Sequence, residues 1–103
     1  MPEKNYKIFL SEVTRIVIQF ISNKKEITKF AVGLEYFYKN KWFQIMRVDS
    51  AHKVVHRDII GKNEKKKNVI YYPFMDNKSG LNFAIEDFRE NYEIYTWRFL
   101  HDK

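Results

Sequence analysis

The segment from residue 30 to residue 38 constrains the fold most, because large apolar side chains alternate along it with smaller or polar ones. One set of alternate positions carries only large apolar or aromatic residues: Phe30, Val32, Leu34, Tyr36 and Tyr38. Successive residues of a β-strand point to opposite faces of a sheet, so this period of two predicts a half-buried strand. A fold that contains this strand must cover one apolar face.

The neighbouring segments show the features of further strands. Residues 13–21 are rich in β-branched side chains, and the polar residues 22–25 predict a turn after them. Another turn is predicted at residues 39–41, where Asn40 is best able to adopt a positive φ, and residues 42–49 then return as a strand. Residues 54–60 and 67–72 complete the predicted strands, and Pro73 ends the last one.

The apolar period changes in the last quarter of the chain. Apolar residues recur there at intervals of three and four, as along one face of an α-helix: Leu81, Ala84, Ile85, Phe88, Tyr92, Tyr95 and Phe99. The pattern predicts an amphipathic helix over residues 79–101 with Ser79 as the N-cap. Such a helix supplies the cover that the apolar sheet face needs.

Together these segments predict one α+β domain over residues 1–103. Its expected architecture is an antiparallel meander of four or five strands over residues 13–72, covered on one face by the C-terminal helix. Residues 1–12 are expected to form an N-terminal arm or a short helix. The chain has no cysteine, which excludes disulfides and thiolate zinc sites.

The hydropathy pattern also bears on location. The first residues contain no apolar run long enough for a signal peptide, and charges interrupt the longest apolar segments. We therefore expect a cytoplasmic protein with no membrane span.

The length of the loop at residues 39–41 decides which face the following side chains occupy. A two-residue loop predicts that Phe43, Ile45, Arg47 and Asp49 share the face of Phe30, with Arg47 and Asp49 at the rim of the core. A three-residue loop would turn these side chains to the opposite face, and both alternatives stay open.

Positive charge is concentrated in the middle of the chain. Residues 39–67 hold nine lysines and arginines against three acidic residues, which accounts for the whole net charge of +6. A concentrated basic region favours a polyanionic partner such as RNA or an acidic protein. The alternative is ordinary solvated loop charge, particularly for residues 62–67.

Residues 42–58 group most of the side chains that can transfer a proton or hold a phosphate. Metal-independent RNA cleavage needs a base, an acid and cations on the phosphate. His52 and His56 are the candidate base and acid, with Asp49 as a further candidate catalytic residue. The candidate substrate-binding cations are Arg47, Arg57, Lys65, Lys66 and Lys67.

Two other interpretations of these residues stay open. Arg47–Asp49 and Arg57–Asp58 would form ion pairs at the rim of the sheet, and the histidines would simply fill turns. Alternatively, the two histidines and one of these aspartates would hold a metal ion.

Local positive charge opposes a divalent cation, so we expect no metal. No nucleotide-binding motif is present, and we expect no cofactor.

Residues 42–58 have the pattern W-x-Q-I-x-R-x-D-x-x-H-x-x-x-H-R-D, which resembles that of a group of small uncharacterised bacterial and archaeal proteins. It is also similar to the central segment of TumE-like toxins of toxin–antitoxin pairs, in which R-Y-D-N-A precedes clustered histidines. The matching positions are Arg47, Asp49, Ala51, His52, His56 and Asp58. This chain departs from the pattern at Val48, Ser50 and Lys53.

The resemblance implies a toxin-like or nucleic-acid-directed role. With the basic charge, it predicts a small protein that acts on RNA, either by binding it or by cleaving it as a metal-independent ribonuclease, with an antitoxin protein as a candidate partner. The alternatives are a non-catalytic adaptor for nucleic acid or protein, and a structural or accessory protein without chemistry.

Overall fold

The computed structural model describes residues 3–102, which form a six-stranded antiparallel sheet and one C-terminal helix. The strands follow one another across the sheet in chain order: β1 (Glu3–Phe9), β2 (Thr14–Asn23), β3 (Glu26–Tyr38), β4 (Lys41–Asp49), β5 (Val55–Ile60) and β6 (Lys66–Tyr72). A 3-10 turn, Ala51–Lys53, joins β4 to β5, and helix α1 spans Asn77–Leu100. The predicted α+β meander is confirmed, with six strands in place of the expected four or five.

The additional strand is β1, which lies in the segment that we expected to be an arm or a short helix. It pairs antiparallel with β2, from Glu3 opposite Ile21 to Phe9 opposite Arg15. Most of its side chains are exposed because β1 lies at the edge of the sheet. Its sequence therefore lacks the apolar alternation that marks a half-buried strand. Residues 1 and 2 of the predicted arm lie outside the described residues.

Helix α1 packs its predicted apolar stripe on one face of the sheet. Phe88 and Phe99 are fully buried in the same core cluster as Ile16, Val32 and Leu34. The ring of Phe99 meets that of Tyr36 edge-on, with centroids 6.2 Å apart. Burial of these rings is the main apolar contribution that holds the helix on the sheet.

The helix begins earlier than the sequence pattern predicts. Asp76, not Ser79, is the N-cap, and its side chain accepts a hydrogen bond from the Ser79 N–H at 2.8 Å. This bond lowers the pKa of the Asp76 carboxyl. Gly80, in the first turn, allows close approach to the sheet, because a Cβ there would lie 2.9 Å from Val55 Cγ1 and 3.0 Å from Phe30 Cζ.

Within residues 3–102, no helix combines the length and the apolar character that crossing a membrane requires.

The turn between β3 and β4 has two residues, which is the first of the two alternatives left open by the sequence. Lys39 and Asn40 both adopt a positive φ, of 50° and 64°, and Phe43 pairs with Tyr36 as expected. A β-bulge then shifts the register, because Glu35 pairs with Gln44 whereas Leu34 pairs with Met46. Ile45 is thus the extra residue on β4.

The bulge reverses the predicted orientation of the end of β4. Beyond it, Arg47 pairs with Gly33 and Asp49 with Ala31, which are positions on the face opposite the helix. The prediction that Arg47 and Asp49 share the face of Phe30 is therefore wrong. The β-bulge, and not a three-residue loop, places these two side chains on the opposite face. The carbonyl of Ile45 accepts a hydrogen bond from Arg98 Nη2 at 3.0 Å.

Candidate functional site

Cross-strand pairing of β4 with β5 brings three of the predicted site residues together with Asp58. Asp49 lies opposite His56, and Arg47 lies opposite Asp58. Opposite residues of an antiparallel pair share a face, so all four side chains lie on the sheet face away from α1, which we call the open face. Asp49, His56 and Asp58 are buried there, and we call them the Asp–His–Asp cluster.

The histidine at the centre of this cluster has a defined orientation. Its Nδ1 lies 3.0 Å from the carbonyl oxygen of Val54. A carbonyl only accepts hydrogen bonds, so this contact places a proton on Nδ1. The other ring nitrogen, Nε2, lies 3.2 Å from Asp49 Oδ1 and 3.8 Å from Asp58 Oδ1. The imidazole thus presents Nε2 to both carboxylates.

Each aspartate of the cluster directs its second oxygen towards a cation. Asp49 Oδ2 lies 2.8 Å from Arg47 Nε, and Asp58 Oδ2 lies 3.4 Å from Lys66 Nζ. The two cations stand at the solvent edge, since 43% of the Arg47 side chain and 62% of the Lys66 side chain are exposed. Asp49 Oδ1 also accepts a hydrogen bond from the Ala51 N–H at 2.9 Å.

The open face has a depression at the Asp49 side of the cluster. This depression of about 180 Å³ lies beside Arg47 and Asp49, and Gln19 and Lys29 contribute to its lining. The exposed ring of Tyr71 lies near the cluster, and its centroid is 5.8 Å from that of the His56 ring. A phosphate and an adjoining base would therefore have cationic and aromatic side chains beside the cluster.

His52 does not join the cluster. It lies in the Ala51–Lys53 turn with a φ of 61°, and its side chain is exposed. Among residues 3–102, this side chain makes no hydrogen bond, ion pair or ring contact. The predicted pair of catalytic histidines is thus not assembled, because the chain turns at His52 before β5 begins.

Arg57, predicted to bind the phosphate, faces the helix and does not join the side chains on the open face. It follows His56 on β5 and therefore points to the opposite side of the sheet. Its Nη1 donates to Tyr95 Oη at 3.1 Å and lies 2.9 Å from Asp87 Oδ2. The expected Arg57–Asp58 pair is replaced by this buried one, whereas the Arg47–Asp49 pair is present.

The sequence analysis did not identify the two partners of Arg57 in this buried arrangement, Asp87 and Tyr95. Asp87 is not part of the apolar stripe from which the helix was predicted, and it accepts a hydrogen bond from Tyr95 Oη at 2.7 Å. Burial acts to lower the pKa of Arg57, but the Tyr95 hydrogen bond and the Asp87 charge outweigh it and raise that pKa. Burial and the bond to Asp87 likewise raise the pKa of Tyr95.

The three predicted substrate-binding lysines have different surroundings. Lys66 contacts the cluster, Lys65 is exposed in the β5–β6 turn, and Lys67 Nζ lies 3.2 Å from Asp102 Oδ1. Bonds from the Lys62 N–H and from Lys67 hold the pKa of Asp102 below its ordinary value. An ion pair between Lys41 Nζ and Glu64 Oε2, 2.9 Å long, joins the β3–β4 and β5–β6 turns at one end of the sheet.

Fold and site together describe an antiparallel α+β domain with a buried aspartate–histidine–aspartate group on its open face. The family described as Domain of unknown function (DUF7718) matches residues 1–103, so the chain belongs to that family. No curated protein and no solved structure matches the chain.

Proposed function

We propose that this protein is a toxin-like domain that binds RNA on its open face and cleaves it at the Asp–His–Asp cluster. The observation that carries the proposal is the position of His56, held between two carboxylates, beside the exposed cations Arg47 and Lys66. The motif resemblance and the positive charge of residues 39–67 support the same partner.

Arg47 and Lys66 are the cations that would hold the phosphate. The ion pair of Arg47 with Asp49 uses Nε, and its terminal nitrogens make no hydrogen bond to residues 3–102. Those nitrogens are donors that match phosphate oxygens. Lys66 adds a point charge on the opposite side of His56, next to Asp58.

His56 and Asp49 would share the proton transfers. Cleavage by the 2′-hydroxyl needs one group to remove its proton and another to protonate the leaving 5′-oxygen. With His52 outside the cluster, these roles fall to Asp49 as base and to the imidazolium form of His56 as acid, which would donate its proton from Nε2, 3.2 Å from Asp49 Oδ1. Histidine can donate a proton near neutral pH, where an ordinary carboxyl is already ionised.

A cleavage and binding assay with a labelled single-stranded RNA tests the proposal. Replacing His56 with Gln should slow cleavage by about 10²-fold or more while RNA still binds. Replacing Arg47 with Gln should weaken binding and lower the slope of log affinity against log salt by about one. Lys78→Gln, an exposed lysine of α1, is the matched control and should change neither.

A non-catalytic adaptor is the second candidate, because Arg47 and Lys66 already neutralise the two carboxylates. Binding of RNA without cleavage, unchanged in His56→Gln, would favour this adaptor over the ribonuclease. No RNA binding at low salt would contradict both RNA-directed functions and leave an acidic protein as the expected ligand of the basic region.

A further inference from the structure

Asp58 Oδ1 stands out in the cluster because it is buried without a hydrogen-bond partner among residues 3–102. Only 5% of the Asp58 side chain is exposed. A buried carboxylate oxygen without a partner loses its hydration and gains nothing in return. Such an atom therefore points to a ligand that the protein itself does not supply.

We propose that Asp49, His56 and Asp58 bind one divalent metal ion. One donor atom from each residue lies within 4.8 Å of the other two. His56 Nε2 is 3.2 Å from Asp49 Oδ1 and 3.8 Å from Asp58 Oδ1. Ligands in adjacent positions around an ion, with bonds of about 2.0–2.2 Å, lie about 3.0–3.5 Å apart, so a small contraction would close the site.

The surrounding contacts orient the three donors as they do in metal sites. A ligating histidine commonly donates its other ring N–H to a carbonyl or carboxylate, and His56 Nδ1 meets the Val54 carbonyl at 3.0 Å. Each aspartate has its Oδ2 beside a cation, either Arg47 or Lys66. These outer contacts leave Nε2 and the two Oδ1 atoms facing one another.

We expected no metal because of the positive charge near these residues. The positive charge around the Asp–His–Asp cluster is smaller than the sequence indicated. Arg57 lies on the other face and is paired with Asp87. Arg47 and Lys66 contact only the outer oxygens of the two aspartates. The two Oδ1 atoms lie beside His56 Nε2, and carboxylate oxygens are ligands that suit a divalent ion.

The donor set suits Mn²⁺ or Zn²⁺, because it combines one imidazole with two carboxylates and contains no sulfur. Three protein ligands leave coordination positions open, which is typical of catalytic metal sites. A water bound there would become a nucleophile or base near neutral pH and would replace the direct proton transfer by His56. This catalytic role depends on the proposed function, whereas metal binding itself does not.

A competing account of the cluster contains no metal. If His56 carried a second proton on Nε2, its imidazolium would bridge Asp49 and Asp58 by itself. The two accounts differ in what added metal does, because an imidazolium must release its Nε2 proton to solvent before Mn²⁺ or Zn²⁺ can bind, which weakens binding as the pH falls.

The test is a titration of the EDTA-treated full chain with MnCl₂ and ZnCl₂. Calorimetry measures the stoichiometry and affinity of binding, and thermal unfolding measures the Tm. We expect one ion per chain and a higher Tm with metal, since a ligand that binds only the folded state stabilises it. Asp58→Asn and His56→Gln should each lower the affinity at least about 10-fold. Glu64→Gln, an exposed carboxylate, and His52→Ala, the exposed histidine, are matched controls and should bind as the parent does.

If a variant does not fold, a second measurement uses the parent protein without substitutions. Nitrogen-15 resonances of the His56 ring should shift with Zn²⁺ and broaden with Mn²⁺. No binding of either ion at millimolar concentration, an unchanged affinity in Asp58→Asn, or loss of binding in His52→Ala would each overturn the metal site.

The RNA assay separates this inference from the proposed function. Metal binding without RNA cleavage would leave the metal site standing and contradict the ribonuclease. Cleavage that persists in EDTA would support direct proton transfer by His56 and overturn the catalytic role of the ion.

Discussion

His56 and Arg57 are consecutive residues of β5, both buried, yet they serve two different polar arrangements. Arg57 points beneath the helix, where Asp87 and Tyr95 contact its guanidinium directly. His56 points to the open face, where it meets two carboxylates whose paired cations stand in solvent.

The difference separates a structural arrangement from a candidate site. Beneath the helix, the buried cation has its anion at 2.9 Å, and the rings of Phe83 and Phe88 lie within 5.5 Å and 5.8 Å of the guanidinium carbon. This arrangement joins α1 to β5. The open-face cluster instead directs acceptor atoms at one another. Its polar groups are therefore candidates for binding a proton, a metal ion or a substrate.

The helix side should dominate stability, and the largest effect is expected at Phe88. Replacing Phe88 with Ala should lower the free energy of unfolding by about 3–5 kcal/mol, because it opens a cavity where the ring is fully buried. Urea denaturation measures the change. The exposed Phe74 is the control, and Phe74→Ala should stay within about 0.5 kcal/mol of the parent. A Phe88→Ala protein as stable as its parent would contradict this packing.

The polar part of the helix side should come next. Asp87→Asn keeps the shape of the side chain but leaves the Arg57 guanidinium without its anion, and it should lower the free energy of unfolding by about 2–3 kcal/mol. This value lies below that for a fully buried pair, because 15% of the Asp87 side chain is exposed. The exposed neighbour Glu86 gives the control Glu86→Gln, and equal effects at both positions would argue against a structural Arg57–Asp87 pair.

Periodicity was sufficient to predict most elements of the fold. Strand β2 and the helix bury mainly one face, and burial on one face is what a repeating apolar pattern records. Strand β1 was missed because polar residues interrupt its sequence and its side chains are mostly exposed. The bulge at Ile45 was missed because an extra apolar residue inside an apolar strand leaves the pattern unchanged.

The candidate site was predicted only as far as local sequence determines it. Arg47, Asp49 and His56 lie near one another in the chain and meet across one strand pair. Arg57 was misassigned because adjacent strand residues face opposite sides, which a count of nearby charges ignores. Its partners Asp87 and Tyr95 are 30 and 38 residues away in sequence, so only the packing of α1 brings them together.

The smallest effect on stability is expected at Asp58, on the open face. Asp58→Asn removes one of two neighbouring carboxylates, and the ion pair that it breaks involves a Lys66 side chain that is 62% exposed. Exposed pairs contribute little, and Asp58 Oδ1 has no hydrogen bond to lose among residues 3–102. In EDTA, the free energy of unfolding should therefore change by less than about 1 kcal/mol, in either direction.

Urea denaturation of Asp58→Asn beside Asp87→Asn compares the two faces of the sheet directly. Both substitutions replace a carboxylate near a cation by an amide of the same shape, and the cation is buried beneath the helix but exposed on the open face. Equal losses of stability would mean that the open-face cluster is as structural as the pair beneath the helix. The alternative outcome is a loss of stability only in Asp87→Asn, with impaired metal binding or RNA cleavage in Asp58→Asn. This outcome would show that Asp58 serves the chemistry of the site and is not needed for the fold.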